Sequence, residues 1–503
     1  MGSKETDKMN GVDSGHSAVP LDSDTEARVE EFRRCGHQMV DFIAEYYRDL
    51  ARHKYPVLPS VEMGYLTKTE PKHAPQQPCS YEDLMREVDT KILPGVTHWQ
   101  HPRFFGYFPA SSSFPAMLGD MLSMAFNTIG FSWAAAPAAT ELETVVMDWL
   151  AAACDLPSVF VSSGSGGGVI QQTASDSMLV VIMAARHRAV AQTGETDTRQ
   201  FVAYASDQAH SSIIKEAKCA GVQVRSIKTS REHSYALQPT DLIAQMRKDT
   251  QDGLIPIFVC GTIGTTSTTA VDPIQSLAES VRCEFAGLPV WLHVDAAYAG
   301  TAALVAECRH HFKGLELWDS FNFNPHKMMM ISFDFSALYV QERSALIDLF
   351  SVGEECLRNK ASESGQVIDY RKWQVPLGRR FRALKLWFAF KLMGTEGLQR
   401  HVRRSFALAE RFERWVAADD RFDMPTPRLF GLVCLRLKGQ PNDAQCALLD
   451  GVNGCGFFLV STKVDDQVVI RVAVGSPQCE AQDIDELWRA FQREADKLVG
   501  PSK

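Results

Sequence analysis

After a polar opening stretch, Val29, Phe32, Met39, Ile43, Tyr46 and Leu50 recur at spacings of three, four or seven. That spacing lays one apolar stripe along a helix of about six turns. Between Tyr55 and Pro78 stand Pro56, Pro59, Pro71, Pro75 and Pro78, which predict an extended connection because proline breaks regular helix. A helix followed by an extended arm suits the embrace of another subunit. From about Ser111 to Arg382, helical patterns alternate with short apolar runs: Phe201-Val202-Ala203-Tyr204, Pro256-Ile257-Phe258-Val259 and Val290-Trp291-Leu292-His293-Val294. This alternation predicts α/β units around a largely parallel sheet. Beyond about Lys385 come a long helical pattern, strands at Val433-Cys434-Leu435 and Val468-Val469-Ile470-Arg471-Val472, and a final helix from about Gln482. The expected organisation is a disordered leader over 1–26, a helical dimerisation segment over 27–113, a large α/β domain over 114–385 and a small α+β domain over 386–503.

Composition narrows this picture. The 503 residues carry 61 acids against 52 bases, a formal charge of −9, and no Lys/Arg run dense enough to grip a phosphate backbone, so nucleic acid is not an expected partner. The 12 cysteines are scattered without paired zinc spacing or a secreted disulfide framework and read as reduced thiols. No stretch of 18 apolar residues occurs, and the expected location is the cytoplasm. Met1-Gly2-Ser3-Lys4-Glu5-Thr6 fits a short myristoylation pattern; a single acyl chain there would give only weak membrane association.

Three segments carry candidate chemistry. Ser163-Gly164-Ser165-Gly166-Gly167-Gly168 leads into Val169–Ser175, where a helix can begin, and bare amides at a helix start make an anion site. The run Val290 to Val294 ends in Asp295-Ala296-Ala297-Tyr298-Ala299-Gly300, placing an acid at the carboxyl end of a buried strand, where α/β sheets bind ligands. In Asn322-Phe323-Asn324-Pro325-His326-Lys327-Met328-Met329-Met330, a poorly solvated lysine favours the neutral amine, a nucleophile toward an aldehyde. Each segment alone has an ordinary structural explanation: a flexible turn, a capping acid, a snorkelling lysine. Together they supply a phosphate cradle, a carboxylate to protonate a pyridine nitrogen and an amine for covalent attachment, which one cofactor, pyridoxal phosphate, requires at once.

At this point the chain resembles the group II pyridoxal-phosphate decarboxylases, and within them the aromatic-L-amino-acid decarboxylases. The likeness rests on Pro94-Gly95-Val96-Thr97-His98-Trp99, Gly130-Phe131-Ser132-Trp133, Gly166 to Gln171, Ser206-Asp207-Gln208-Ala209-His210-Ser211-Ser212, His293 to Gly300 and Phe321 to Lys327. It implies the fold-type-I, aspartate-aminotransferase-like architecture, with a parallel-rich seven-stranded sheet in the pyridoxal-phosphate-binding large domain. It also implies a homodimer whose active site is shared across the interface. By the same resemblance Lys327 holds the cofactor, Asp295 pairs with the pyridinium, His210 stacks over the ring, and Ala297 packs beneath it. Thr173, Ala174, Ser175, Thr266, Asn324 and His326 fall at cofactor-binding positions. His210 also has a rationale of its own, since an imidazole before Ser211-Ser212 could stack and donate. Trp99, Tyr107, Phe108 and Pro109, with Ile129 and Phe131 from across the dimer, give flat walls for an aromatic substrate. By the resemblance Gly378 falls where related enzymes differ in side-chain size, and glycine there leaves room for a catechol or indole, which weighs against a histidine decarboxylase.

The chain departs from that family where a mobile loop normally carries a tyrosine that returns a proton after carbon dioxide leaves. Cys356 stands there. A thiol, with an ordinary pKa of about 8.5, is a competent acid, but it is shorter than a phenol. The alternative activity is therefore an aromatic aldehyde synthase, in which decarboxylation is coupled to oxidative deamination. Ala110 and Met328 are lesser departures, at positions where a hydroxyl residue and tryptophan are usual. A third reading, a cofactor-binding scaffold without turnover, is disfavoured because Lys327, Asp295 and His210 are all present.

Overall fold

The computed structural model describes residues 21–352 and 367–501. Its first helix, Ser23–Ala51, starts where the Asp22 carboxylate accepts the backbone N–H groups of Asp24 and Thr25. The cap starts the helix a few residues inside the segment assigned to the polar leader, ahead of the first apolar stripe residue. This helix and residues 60–96 form one compact unit, within which Arg34 bridges Glu31 and Glu82.

The second unit holds residues 55–59 and 97 onward. Its centre is a seven-stranded sheet of β1 (Gly167–Gln171), β2 (Phe201–Ser206), β3 (Gln223–Ile227), β4 (Ile255–Thr262), β5 (Trp291–Asp295), β6 (Ser320–Phe323) and β7 (Ser336–Val340), in the order β1-β7-β6-β5-β4-β2-β3. Strands β3, β2, β4, β5 and β6 run parallel, and only β7 opposes its neighbours. This is the parallel-rich sheet the resemblance implied. Both faces are covered, so the strands are apolar on both sides rather than alternating with polar residues. Along β2 and β5, Val202, Tyr204, Leu292 and Val294 join one core cluster. Ala203, Ala205 and Trp291 join the other, with Val180, Val181 and Ala184 of the helix Ala174–Thr193.

A four-stranded antiparallel sheet follows, with β8 (Phe422–Asp423), β9 (Leu432–Leu437), β10 (Val460–Val464) and β11 (Gln467–Ala473) in the order β10-β11-β9-β8. Helices Asn442–Gly454 and Ala481–Val499 pack with it. The long helical pattern after Lys385 is two helices within Ala383–Ala417, joined at Gly394, whose φ of +66° no helix accommodates.

The glycine-rich segment behaves differently from expectation. It runs into β1 rather than a helix, and the helix begins only at Ala174. The glycines answer to packing: a Cβ on Gly166 would lie 2.0 Å from Val159 O, and one on Gly168 would strike Met147 and Tyr339 at 2.7 Å.

Candidate active site

The carboxyl ends of β4, β5 and β6 open into a cavity of about 240 Å³ lined by Phe108, Thr173, Ala174, Ser175, His210, Thr262, Gly264, Thr266, Asp295, Ala297, Tyr298, Asn324 and Lys327. Ten of the residues singled out from sequence meet here: Phe108, Thr173, Ala174, Ser175, His210, Thr266, Asp295, Ala297, Asn324 and Lys327 belong to one wall or another. Parallel strands ending at a common edge are what bring segments more than 150 positions apart together.

Thr173 caps the helix Ala174–Thr193 through a capping box with Asp176. Its neighbours Ala174 and Ser175 occupy the first turn, where free N–H groups and the helix dipole favour an anion. The helix start that faces the cavity is therefore Thr173 to Ser175, while the glycines lie in and before β1. Asp295 closes β5, buried to 5% exposure, and its Oδ1 accepts from the Ala297 N–H at 2.9 Å.

Lys327 follows β6 on a single helical turn, Pro325–Met328. Burial lowers its pKa to about 8; the Asp295 carboxylate opposes this and the Arg471 guanidinium reinforces it. Its Nζ lies 5.5 Å from the centre of the Phe108 ring, which stacks at 3.7 Å on Tyr298. A side chain with a pKa near 8 has a free amine fraction at neutral pH that an ordinary lysine lacks. His210 is held below its ordinary value by desolvation, which Asp295 opposes and Lys327 reinforces. Its Nδ1 accepts the Ser212 N–H at 3.2 Å and lies 3.0 Å from Ser212 Oγ. The proton of the neutral ring is thereby placed on Nε2.

His326 lies behind the cavity rather than in its lining, with Nδ1 accepting the Phe335 N–H at 3.0 Å. Burial and the adjacent Lys327 charge bring it down to about 4. Trp99 and Tyr107 stack on each other at 5.5 Å and are partly exposed, outside the lining. Pro109 packs against Gly475, and Ile129 against Gly378, also outside it. Phe131, whose carbonyl accepts the Arg371 N–H, is likewise outside the lining. Cys356 and Gly2 lie outside the described residues.

The fold adds a residue that the sequence reading passed over. Arg471 on β11 is 3% exposed, lies 4.9 Å from the Phe108 ring and donates to Tyr107 O at 3.2 Å. Its Nε and Nη2 are buried without hydrogen-bond partners among the described residues. One arginine within an otherwise apolar strand was the available signal, because a buried cation needs a reason.

Comparison with known proteins settles the family. Residues 64–438 match the pyridoxal-dependent decarboxylase conserved domain. The chain belongs to the pyridoxal-dependent decarboxylases. It is 45% identical to tryptophan decarboxylase 2 of Oryza sativa subsp. japonica, over 98% of this chain and 99% of that one. It is 43% identical to phenylacetaldehyde synthase of Arabidopsis thaliana, over 97% and 99%. The crystal structure of Oryza sativa TDC with PLP and tryptamine superposes with a TM-score of 0.91 at 38% identity, covering 96% of this chain and 100% of that one. A decarboxylase of this family is an enzyme, a carboxy-lyase that uses pyridoxal phosphate. The cavity fits that cofactor on its own terms. It offers an amine, an acid and a helix start, and the buried Asn324 Oδ1 has no partner among the described residues. No helix among the described residues is long and apolar enough to cross a membrane.

Proposed function

We propose that this decarboxylase removes the α-carboxylate from an aromatic L-amino acid (Dopa, 5-hydroxytryptophan, tryptophan or tyrosine), releasing the amine and carbon dioxide in the cytoplasm. The observation that carries the site assignment is the meeting of Lys327, Asp295, His210 and the Thr173–Ser175 helix start in one cavity. When bound, pyridoxal phosphate supplies the ring that draws off the electron pair left on Cα.

The protein's own residues do the rest. Lys327 holds the cofactor through its free amine. Asp295 keeps a proton on the ring nitrogen, because an adjacent carboxylate favours the charged form. Thr173, Ala174 and Ser175 hold the phosphate at the helix start, with Thr266, Asn324 and His326 supporting. Ala297 supplies one flat contact and His210 the other. With Nδ1 engaged by Ser212, His210 points a donor Nε2–H toward bound groups.

Trp99, Tyr107, Phe108 and Pro109 form the aromatic wall. Ile129, Phe131 and Gly378 belong to the site of a second copy. Phe114, Leu118, Met121, Met124, Phe126 and Ile129 all expose apolar surface within one short stretch, more than a free surface ordinarily carries. A homodimer with a shared site accounts for both features. Co-expressing Lys327→Ala chains with Ile129→Asp chains tests it: recovered activity in the mixture, absent from each alone, is expected.

A second reading keeps the site and changes the outcome. Cys356 replaces the loop tyrosine, and a relative 43% identical is named phenylacetaldehyde synthase. Incubating the protein with pyridoxal phosphate and each candidate amino acid, while measuring amine, aldehyde and dissolved oxygen together, separates the two. Amine without oxygen uptake is expected; aldehyde with matching oxygen consumption would replace the decarboxylase reading by the synthase.

A further inference from the structure

Beneath Asp295, on the sheet face covered by the helix Ala174–Thr193, lies a line of buried polar groups that the reading above does not use. Trp291, His293 and Asp295 alternate along β5 and share that face. On β6, Ser320 stands in register with His293 and Asn322 with Asp295. Trp291 is 1% exposed, and His293, Ser320 and Asn322 are 0% exposed. In a core of Val180, Val181 and Ala184, an apolar residue at position 293 would pack without the cost of burying an imidazole.

The direction of the hydrogen bonds can be worked out. Trp291 Nε1 only donates, and does so to Ser320 Oγ at 2.7 Å. The Ser320 hydrogen then goes to the other polar atom within reach, His293 Nδ1 at 2.8 Å. That leaves the imidazole proton on Nε2, facing Asn322 Oδ1 at 2.9 Å. Burial keeps the ring neutral, bringing it down to about 4 against the opposing influence of Asp295 and of the Asn322 bond. The Arg188 guanidinium, 4.6 Å over the Trp291 ring, pins the far end of the line. At the near end, Asn322 Nδ2 is buried with no partner among the described residues. It belongs to the residue in register with Asp295.

We propose that His293 is a positioning residue for Asp295. Held between Ser320 and Asn322, it fixes the Asn322 carboxamide with its oxygen turned to the imidazole, which leaves the N–H₂ for the side of Asp295, the residue in register with it, and keeps that carboxylate aimed. The inference rests on the role given above to Asp295 as partner of the cofactor's ring nitrogen.

The test is the Kd of apoenzyme for pyridoxal phosphate, read by quenching of tryptophan fluorescence, in wild type, His293→Leu, His293→Gln, Asp295→Asn and the His293→Leu/Asp295→Asn double variant. His293→Leu should weaken binding about tenfold, the size of a coupling between contacting residues. His293→Gln, whose amide N–H can reach Asn322, should restore it to within about threefold. In the Asp295→Asn background, His293→Leu should cost nothing further. Equal losses in both backgrounds would assign His293 a purely structural role and overturn the proposal, as would wild-type binding by His293→Leu. Should His293→Leu not fold, Ser320→Ala deletes only the hydroxyl that sets the tautomer. The same background-dependent loss is expected from it, and its absence overturns the proposal. The two levels of inference fail differently. Asp295→Asn binding like wild type would remove the role of Asp295 and this proposal with it, whereas weakened Asp295→Asn beside unmoved His293 variants would remove this proposal alone.

Discussion

The floor of the cavity and its aromatic side are built on different terms. Asp295 and Asn324, at the ends of β5 and β6, are 5% and 3% exposed, and every group beside them belongs to the same compact unit. Ile129 and Tyr107 are 59% and 51% exposed, and a Cβ on Gly378 would meet only Ile129 among the described residues. The reactive end is finished by the fold of one chain, because a sheet edge and a helix start fix it to fractions of an ångström. The side proposed to meet the substrate is exposed apolar surface among the described residues. On the proposed reading, cofactor chemistry should respond to substitutions within one chain, and substrate choice to the exposed surface that a second copy would complete.

The sharpest break of that comparison is Lys327→Ala. Loss of the covalent handle should remove the visible absorption of bound pyridoxal phosphate and lower turnover by about 10⁴-fold or more. A retained band at saturating cofactor would place the attachment elsewhere. Asp295→Asn comes next: an amide cannot hold the ring nitrogen protonated, so kcat should fall on the order of a thousandfold, with weaker cofactor binding in a titration of the apoenzyme. Wild-type turnover in that variant would show that the floor does not set the electronics.

How much of this was legible in the chain follows from the same contrast. β2, β4 and β5 were readable because a fully buried parallel strand is a nearly continuous apolar run, and the acid that ends β5 breaks the run conspicuously, whereas β6, Ser320-Phe321-Asn322-Phe323, alternates and gave no such signal. The helix start at Thr173 was only half readable. Its capping residue was in view, but Gly166 to Gly168 carried the look of an anion loop while being glycine for close packing against Val159, Met147 and Tyr339. Arg471 escaped because its partner, the Phe108 ring, lies some 360 residues away on a loop, and no local pattern encodes a contact between a strand and so distant a loop. His293 was noted only as part of a motif, since a hydrogen-bond line across β5 and β6 depends on strand register. Helix ends at Gly394 and Ser23 turn on a single φ value and a single cap, features that periodicity blurs.

Gly378→Phe probes the open side. Among the described residues a Cβ there meets only Ile129 Cγ2 at 3.7 Å, so the chain should fold and bind cofactor as before. If a second copy turns this position toward the substrate, the added ring should lower kcat/KM for tryptophan by about 10- to 200-fold, the usual range for filling an apolar pocket. Steady-state kinetics with cofactor Kd measured in parallel checks this. Unchanged kcat/KM would mean that the exposed patch does not line a substrate site.

The smallest effect concerns pH and returns to the floor. Lys327 has its pKa lowered to about 8 by burial and Arg471, against Asp295. A lysine captures an aldehyde only as the neutral amine, so the rate at which apoenzyme takes up pyridoxal phosphate should rise about fivefold from pH 7 to pH 8 and flatten above about pH 9. An ordinary lysine would keep gaining about tenfold per pH unit through that range. Linkage gives the same sign for stability. Between about 8 and the ordinary value of 10.5 the unfolded chain binds the proton that the folded one has lost, so the contribution of Lys327 to apoenzyme stability increases with pH across that window. Arg471→Met removes a positive charge that disfavours the ammonium, and should move the capture midpoint upward. A midpoint that stays fixed would mean that burial by Phe108 and Tyr298, rather than the buried cation on the small sheet, sets the reactivity of the amine.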